Sequence, residues 1–137
     1  MELRYEGSLK LKDPSNFKKL LDPEVVGRVP PGTLSIIKEG EWYRAKMSVG
    51  VGGLRVTMDV RFKYAKASED GTAVAGSASG LQGAVDFAIT FRRQGDEALW
   101  SFNGNARGLI SVLGKPIVDA TARSIIEKVT SNLQAVV

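Results

Sequence analysis

The 137-residue sequence contains no cysteine and no histidine. Without cysteine, the chain forms no disulfide bond and offers no thiolate nucleophile. Without either residue, the usual zinc sites and the histidine-based catalytic triads are excluded. We therefore predict no metal site, no cofactor and no catalytic residue of these familiar kinds.

Long apolar runs are missing as well. No stretch approaches the roughly 20 apolar residues that cross a bilayer as a helix. The first ten residues, MELRYEGSLK, are charged and alternating, which does not fit a signal peptide. We expect a cytoplasmic protein whose membrane contact, if any, is peripheral and at the cytoplasmic face.

Acidic residues are fewer than basic ones, 15 against 19, which leaves a net charge of +4. The basic residues are scattered along the outward sides of the predicted strands rather than gathered in one stripe. That distribution is typical of a solvated sheet surface, so a nucleic-acid partner is not expected.

What the sequence does contain is strict alternation, seen best in LRVTMDVRFKY at residues 54–64. Every second residue there is apolar, and the residues between them are polar or charged. This pattern predicts a β-strand with one face towards a core and one face towards water. The inward set is Leu54, Val56, Met58, Val60, Phe62 and Tyr64.

Six further segments predict strands, and short turn signals separate most of them. The predicted strands are 3–12, 33–39, 42–49, 54–65, 72–80, 84–93 and 98–107. Short links favour an antiparallel meander. After the first strand, DPSNFKKLLDPEVVG repeats an Asp-Pro signal, which predicts two short helices placed end to end.

From Pro116 onward the apolar residues recur at helical spacing, which predicts an amphipathic helix of about 20 residues. The preceding GLISVLGKP is predicted to be a turn. One helix about 10 Å wide cannot cover seven strands that span more than about 30 Å unless the sheet curls. We therefore predict an α+β helix-grip fold in a single domain, 1–137, with the curved sheet wrapped around the C-terminal helix.

Small residues dominate TAVAGSASG at 72–80, and small residues leave volume unfilled. We predict an apolar cavity between sheet and helix that binds a ligand. The alternative is that the large side chains close a compact core. The predicted lining residues are Tyr5, Pro31, Met47, Met58, Phe62, Phe87, Trp100 and Phe102.

The carboxylates do not predict a catalytic pair, because alternation or a turn position places each towards solvent. They are Asp59, Asp86, Asp96, Glu97, Asp119 and Glu127. Trp42 is also predicted on the outer face, either capping a hairpin edge or contacting a partner or a membrane interface.

The order of these segments resembles the START/Bet v 1-like superfamily, and more narrowly the CoxG family, which is named after a component of carbon monoxide dehydrogenase. The resemblance rests on YEGSLKL, DPEVVGRVPPG, YRAKMSVGVGGLRVTMDVRF, GSASGLQGAVDF and NARGLISVLGKPIV. It implies a role beside molybdenum hydroxylases of the carbon monoxide dehydrogenase type, with recruitment to the membrane. Longer members continue into an apolar tail, so in this chain we expect cavity binding rather than tail anchoring.

These considerations lead to two hypotheses. The first is a non-catalytic accessory protein that holds a quinone or lipid in the cavity and serves a molybdenum hydroxylase. The alternative is a cyclase-like or hydrolase-like enzyme of the same superfamily, which requires an inward acid, base or tyrosine. Tyr5, Tyr43 and Tyr64 are the candidates for that role.

Overall fold

Seven antiparallel strands form one sheet, and a long C-terminal helix lies against its inner face. The computed structural model describes residues 1–30, 32–33, 35–51, 54–81 and 83–137, and only the backbone at 49–51, 54, 56, 109 and 110. The elements are β1 (Glu2–Lys10), a 3-10 helix (Pro14–Leu21), α1 (Pro23–Val26), β2 (Ile36–Glu39), β3 (Trp42–Val51), β4 (Leu54–Ala67), β5 (Gly71–Gly80), β6 (Gly83–Gln94), β7 (Glu97–Arg107), α2 (Leu109–Val112) and α3 (Lys115–Val136).

The spatial order of the strands is β1-β7-β6-β5-β4-β3-β2. Strands β2 to β7 form the predicted meander, and β1 adds to its far edge by pairing with β7. Each strand alternates between inner and outer positions as the sequence predicts. The helix-grip prediction is thereby confirmed.

Two aspartates begin the two short helices after β1. The Asp13 carboxylate accepts a hydrogen bond from the Ser15 amide at 2.8 Å, and Asp22 accepts one from the Glu24 amide at 2.9 Å. A proline follows each aspartate at the first helical position. The predicted pair of helices is present, but the first is a 3-10 helix.

Helix α3 begins at Lys115, one residue before the predicted start, and runs alongside β1. Near its end, the Gln134 side chain accepts from the Lys10 amide at 2.9 Å and donates to the Lys10 carbonyl at 2.6 Å. These bonds occupy backbone groups at the edge of the sheet. The segment before α3 was predicted to be a turn, but residues 109–112 form the one-turn helix α2.

The apolar side chains form three clusters. One joins the end of α3 to the 3-10 helix through Leu133, Phe17 and Leu20. A second lies under the start of α3 and includes Val118 and Leu3. The third belongs to β3, β4 and β5, and its described members include no residue of α3. The helix is therefore anchored at both ends, on the β1 and β7 side of the sheet.

Candidate functional site

Seven of the eight predicted lining residues lie on the inner face of the sheet. Pro31 lies outside the described residues. Among the seven, the side chains differ in exposure. The buried ones are Tyr5, Met47, Met58 and Phe62, and the half-buried ones are Phe87, Trp100 and Phe102.

The fold divides these residues into two groups. Met47, Met58 and Phe62 pack together in the β3–β5 cluster, and Phe87 lies against them. Tyr5 belongs to the cluster beside α3, with Phe102 and Trp100 packed against it. The rings of Phe87 and Phe102 lie 6.0 Å apart and join the two groups.

A space of about 750 Å³ lies between α3 and strands β1 and β7. Its apolar lining comes from Tyr5, Trp100 and Phe102 on the strands and Ile126 on the helix. The volume falls within the range of small-molecule sites, which are about 300–1,000 Å³. Its position beside β1 differs from the prediction, which attributed unfilled volume to β5.

Aromatic rings occupy the volume that inner-face glycines release. A Cβ added at Gly7 would lie 2.6 Å from the Trp100 ring, and one at Gly104 would lie 2.8 Å from the Phe102 ring. On β5, Val74 and Ala78 are buried in the β3–β5 cluster. The small residues thus admit close neighbours, and the open space is beside the rings.

The Tyr5 hydroxyl donates a hydrogen bond of 2.5 Å to Asp119 Oδ1 on α3. Burial and this hydrogen bond raise the pKa of Tyr5 to about 12. The same bond holds the pKa of Asp119 below its usual value. Tyr5 is therefore a protonated donor at neutral pH, and Asp119 is an ionised acceptor.

Two cations complete this polar group. The Arg123 guanidinium lies 5.1 Å from the centre of the Tyr5 ring. Lys115 Nζ lies 3.6 Å from the other Asp119 oxygen. Asp119 was predicted to be a solvated surface residue, but only 29% of its side chain is exposed. The signal in the sequence was the spacing of 115, 119 and 123 on one flank of a helix, but nothing local indicated Tyr5 as the partner.

Outside this group, the outer face carries ordinary surface pairs. Arg107 donates to the exposed Asp86 at 3.0 Å, and Lys10 bonds the exposed Asp96 at 2.6 Å. Asp59 is half-buried on β4, with Arg44 at 3.9 Å. Glu97 and Glu127 are exposed.

Trp42 is half-buried on the outer face, as its position in the alternation predicts. Arg61 and Lys63 lie 5.2 Å and 4.9 Å from the centre of its ring. Two cations on one ring give Trp42 a structural role on the sheet surface. It lies on the opposite side of the sheet from Trp100.

A larger concavity of about 820 Å³ crosses the outer face, where Ser8, Thr90 and Arg92 point to solvent. It is a trough between two rows of surface side chains. We place the candidate site on the inner face instead, because only there do aromatic rings and a helix converge.

Within the ranges described above, no three or more acidic side chains are grouped so that they could hold a metal ion. None of the described helices combines the length and the apolar character that crossing a membrane requires.

The family of the chain follows from residues 7–137, which match the model of the carbon monoxide dehydrogenase CoxG family. The chain belongs to that family. The match covers every element that forms the candidate site apart from the first half of β1, which carries Tyr5. Among curated proteins, none matches the sequence.

Solved structures show how this CoxG-family chain compares in fold. A conserved protein from Geobacillus kaustophilus has a TM-score of 0.80 at 15% identity, over 98% of this chain and 93% of that one. A STAR-related lipid transfer protein from Xanthomonas axonopodis has a TM-score of 0.65 at 17% identity, over 97% and 85%.

A third similar structure, BexL, is a di-domain ARO/CYC protein from the BE-7585A biosynthetic pathway. It has a TM-score of 0.60 at 8% identity, over 98% of this chain and 50% of that one. At these identities the likeness concerns the fold alone, and it agrees with the START/Bet v 1-like resemblance.

Proposed function

We infer that this member of the CoxG family is a non-catalytic accessory protein that binds an apolar small molecule of the quinone or lipid class. The observation that carries this inference is the space of about 750 Å³ between α3 and strands β1 and β7. Trp100 and Phe102 remain half-exposed in it, although both point to the inner face.

A bound apolar molecule would remove these ring surfaces from water. Burial of apolar surface contributes roughly 25 cal/mol per Å², so covering even part of two rings favours binding. The anchoring of α3 at its two ends leaves the middle of the helix free to form one wall of the site.

The proposed partner is a molybdenum hydroxylase of the carbon monoxide dehydrogenase type, in keeping with the family. In this proposal the chain carries the apolar molecule between that enzyme and the cytoplasmic face of a membrane. The lipid transfer protein with the same fold supports a carrier role by analogy only.

An enzyme acting inside the cavity is the alternative, and the Tyr5–Asp119 hydrogen bond is the observation that favours it. The ARO/CYC neighbour has the same fold. Yet the pKa of Tyr5 is raised to about 12 and that of Asp119 is lowered. Both shifts move these groups away from the values suited to proton transfer near pH 7, so a binding role fits them better.

The two tryptophans provide a direct test with decylubiquinone, a short-chain quinone. Quinones quench indole fluorescence on close approach. Trp100 lines the space and Trp42 lies on the outer face. We therefore expect decylubiquinone to quench the Trp42→Phe protein, which retains Trp100, in a saturable manner. The Trp100→Phe protein, which retains Trp42, should show only weak, unsaturable quenching.

Equal and unsaturable quenching of both variants would contradict quinone binding at this site. A dansyl-labelled phospholipid, tested on the same variants by energy transfer from tryptophan, addresses the lipid class. If neither probe prefers the Trp100 site while both variants remain folded, the carrier function is wrong.

A further inference from the structure

A second space of about 710 Å³ adjoins the apolar one, and the two share Arg4, Tyr5 and Arg123 in their linings. The second space lies towards the start of α3. Its lining includes four cationic groups: the Met1 amine, Arg4, Lys115 and Arg123. Only two carboxylates face them, those of Glu2 and Asp119.

Most of these cations already have partners. Arg4 lies 3.0 Å from Glu2, and the Met1 amine donates to Asn105 and to the Ala106 carbonyl. Lys115 donates to the Glu2 carbonyl at 3.2 Å and lies near Asp119. Arg123 forms no salt bridge with any described carboxylate, and its guanidinium lies over the Tyr5 ring at the boundary of the two spaces.

Acidic side chains border the apolar space instead. Glu6 and Glu127 belong to its lining, and Glu127 lies one helical turn beyond Arg123. A negatively charged group would be repelled there and attracted towards Arg123 and Lys115. The charges therefore give the combined site a direction, with a cationic end near the start of α3 and an aromatic end near Trp100.

We propose that the ligand is a single-chain amphiphile with an anionic headgroup, a carboxylate or a phosphate. Its chain lies on Trp100, Phe102 and Ile126, and Arg123 binds its headgroup from the boundary of the two spaces. This assignment rests on the proposed function and narrows its ligand class. Arginine suits the headgroup because its planar donor fork matches both carboxylate and phosphate oxygens.

The test uses cis-parinaric acid, whose fluorescence rises in apolar surroundings, and its uncharged methyl ester as the matched probe. At pH 7.5 we expect the wild-type protein to bind the acid at least about tenfold more tightly than the ester. Arg123→Gln should lower the affinity for the acid to that for the ester and leave the ester unchanged. Arg123→Lys should retain part of the preference, because it retains the charge.

The control variant is Lys128→Gln, which removes one positive charge from an exposed position on the same helix. It should bind both probes as the wild type does. Competition with lysophosphatidic acid extends the test to a phosphate headgroup, and inorganic phosphate alone at about 10 mM should displace neither probe.

Equal binding of acid and ester by the wild type, or an Arg123→Gln protein that still prefers the acid, would overturn the headgroup assignment while leaving the carrier function standing. Displacement of the acid by inorganic phosphate would overturn it too, because the site would then hold a free anion. If neither probe binds the folded protein, both the assignment and the proposed function are wrong.

Discussion

At the scale of single residues, Gly7 on β1 determines where the Trp100 ring lies. The two residues are directly opposite each other across the β1–β7 pair. Because glycine has no Cβ, the indole lies flat over the β1 backbone. This leaves one side of the ring facing the space beside α3.

We expect Gly7→Ala to destabilise the protein by about 1–3 kcal/mol, because the new methyl group displaces the indole in a packed environment. The emission of Trp100 should shift as well. Gly71→Ala is the matched control, since a Cβ there meets nothing closer than 3.7 Å. Urea unfolding of both variants gives the comparison, and an equal cost at the two glycines would refute the close approach at Gly7.

The Tyr5–Asp119 pair makes stability depend on pH in a defined direction. The pKa of Asp119 is lower in the folded chain, so its contribution is present at neutral pH and is lost as pH falls through the folded-state value. The pKa of Tyr5 is raised to about 12, so its contribution is lost as pH rises from about 10 to about 12.

Tyr5→Phe removes the largest cause of the Asp119 shift. The urea midpoint of this variant should lie below that of the wild type at pH 7, and the gap should narrow at pH 3. Tyr43→Phe, which removes a hydroxyl on β3, should show no such narrowing. A gap for Tyr5→Phe that is the same at both pH values would contradict the hydrogen bond.

Residue by residue, alternation was sufficient to predict which side chains point inward. Tyr5, Met58 and Phe87 are on the predicted face because the two-residue period of a strand fixes it. The Tyr5–Asp119 contact was not predictable, because its partners are 114 residues apart and meet only after α3 packs on β1. Nor did small residues on β5 locate the cavity, since neighbouring groups fill the volume they release.

At the scale of elements, α3 is held tightly at its ends and loosely in its middle. Val118 and Leu133 are buried, whereas Ile126 and Val129 between them are half-buried. An amphipathic helix against a closed core would bury its whole apolar stripe. The partial exposure at the middle of α3 is what the adjoining space requires.

Two substitutions that remove the same number of carbon atoms test this difference. Leu133→Ala should cost about 2–5 kcal/mol, since its side chain is fully surrounded. Ile126→Ala should cost only about 1 kcal/mol, because one side of Ile126 already faces the open space. Chemical denaturation measures both, and comparable costs would indicate that the middle of α3 is packed as tightly as its end.

The order of elements was predictable because turn residues and changes of period mark their boundaries. The pairing of β1 with β7 was not, since it joins strands at opposite ends of the chain. Helix α2 was also missed, because four apolar residues between two glycines show no helical period.

At the scale of the whole molecule, the sheet is wider than the helix that covers it. The side of the sheet formed by β3–β5 buries its own methionines and aromatic rings, while α3 lies along β1. The open space follows from this unequal coverage. Strand count and helix count predicted a mismatch of widths, but only the packed side chains show on which side it leaves room.

The central claim is that this space holds an apolar molecule, and native mass spectrometry tests it most directly. Thr130→Trp places a large ring in the space from the α3 side, and Lys128→Trp places one on the exposed side as its control. After incubation with decylubiquinone and cis-parinaric acid, we predict a one-to-one adduct with at least one probe for the wild type and Lys128→Trp, and none for Thr130→Trp. Adduct formation by a folded Thr130→Trp protein at the wild-type level, or none by the wild type, would contradict the account.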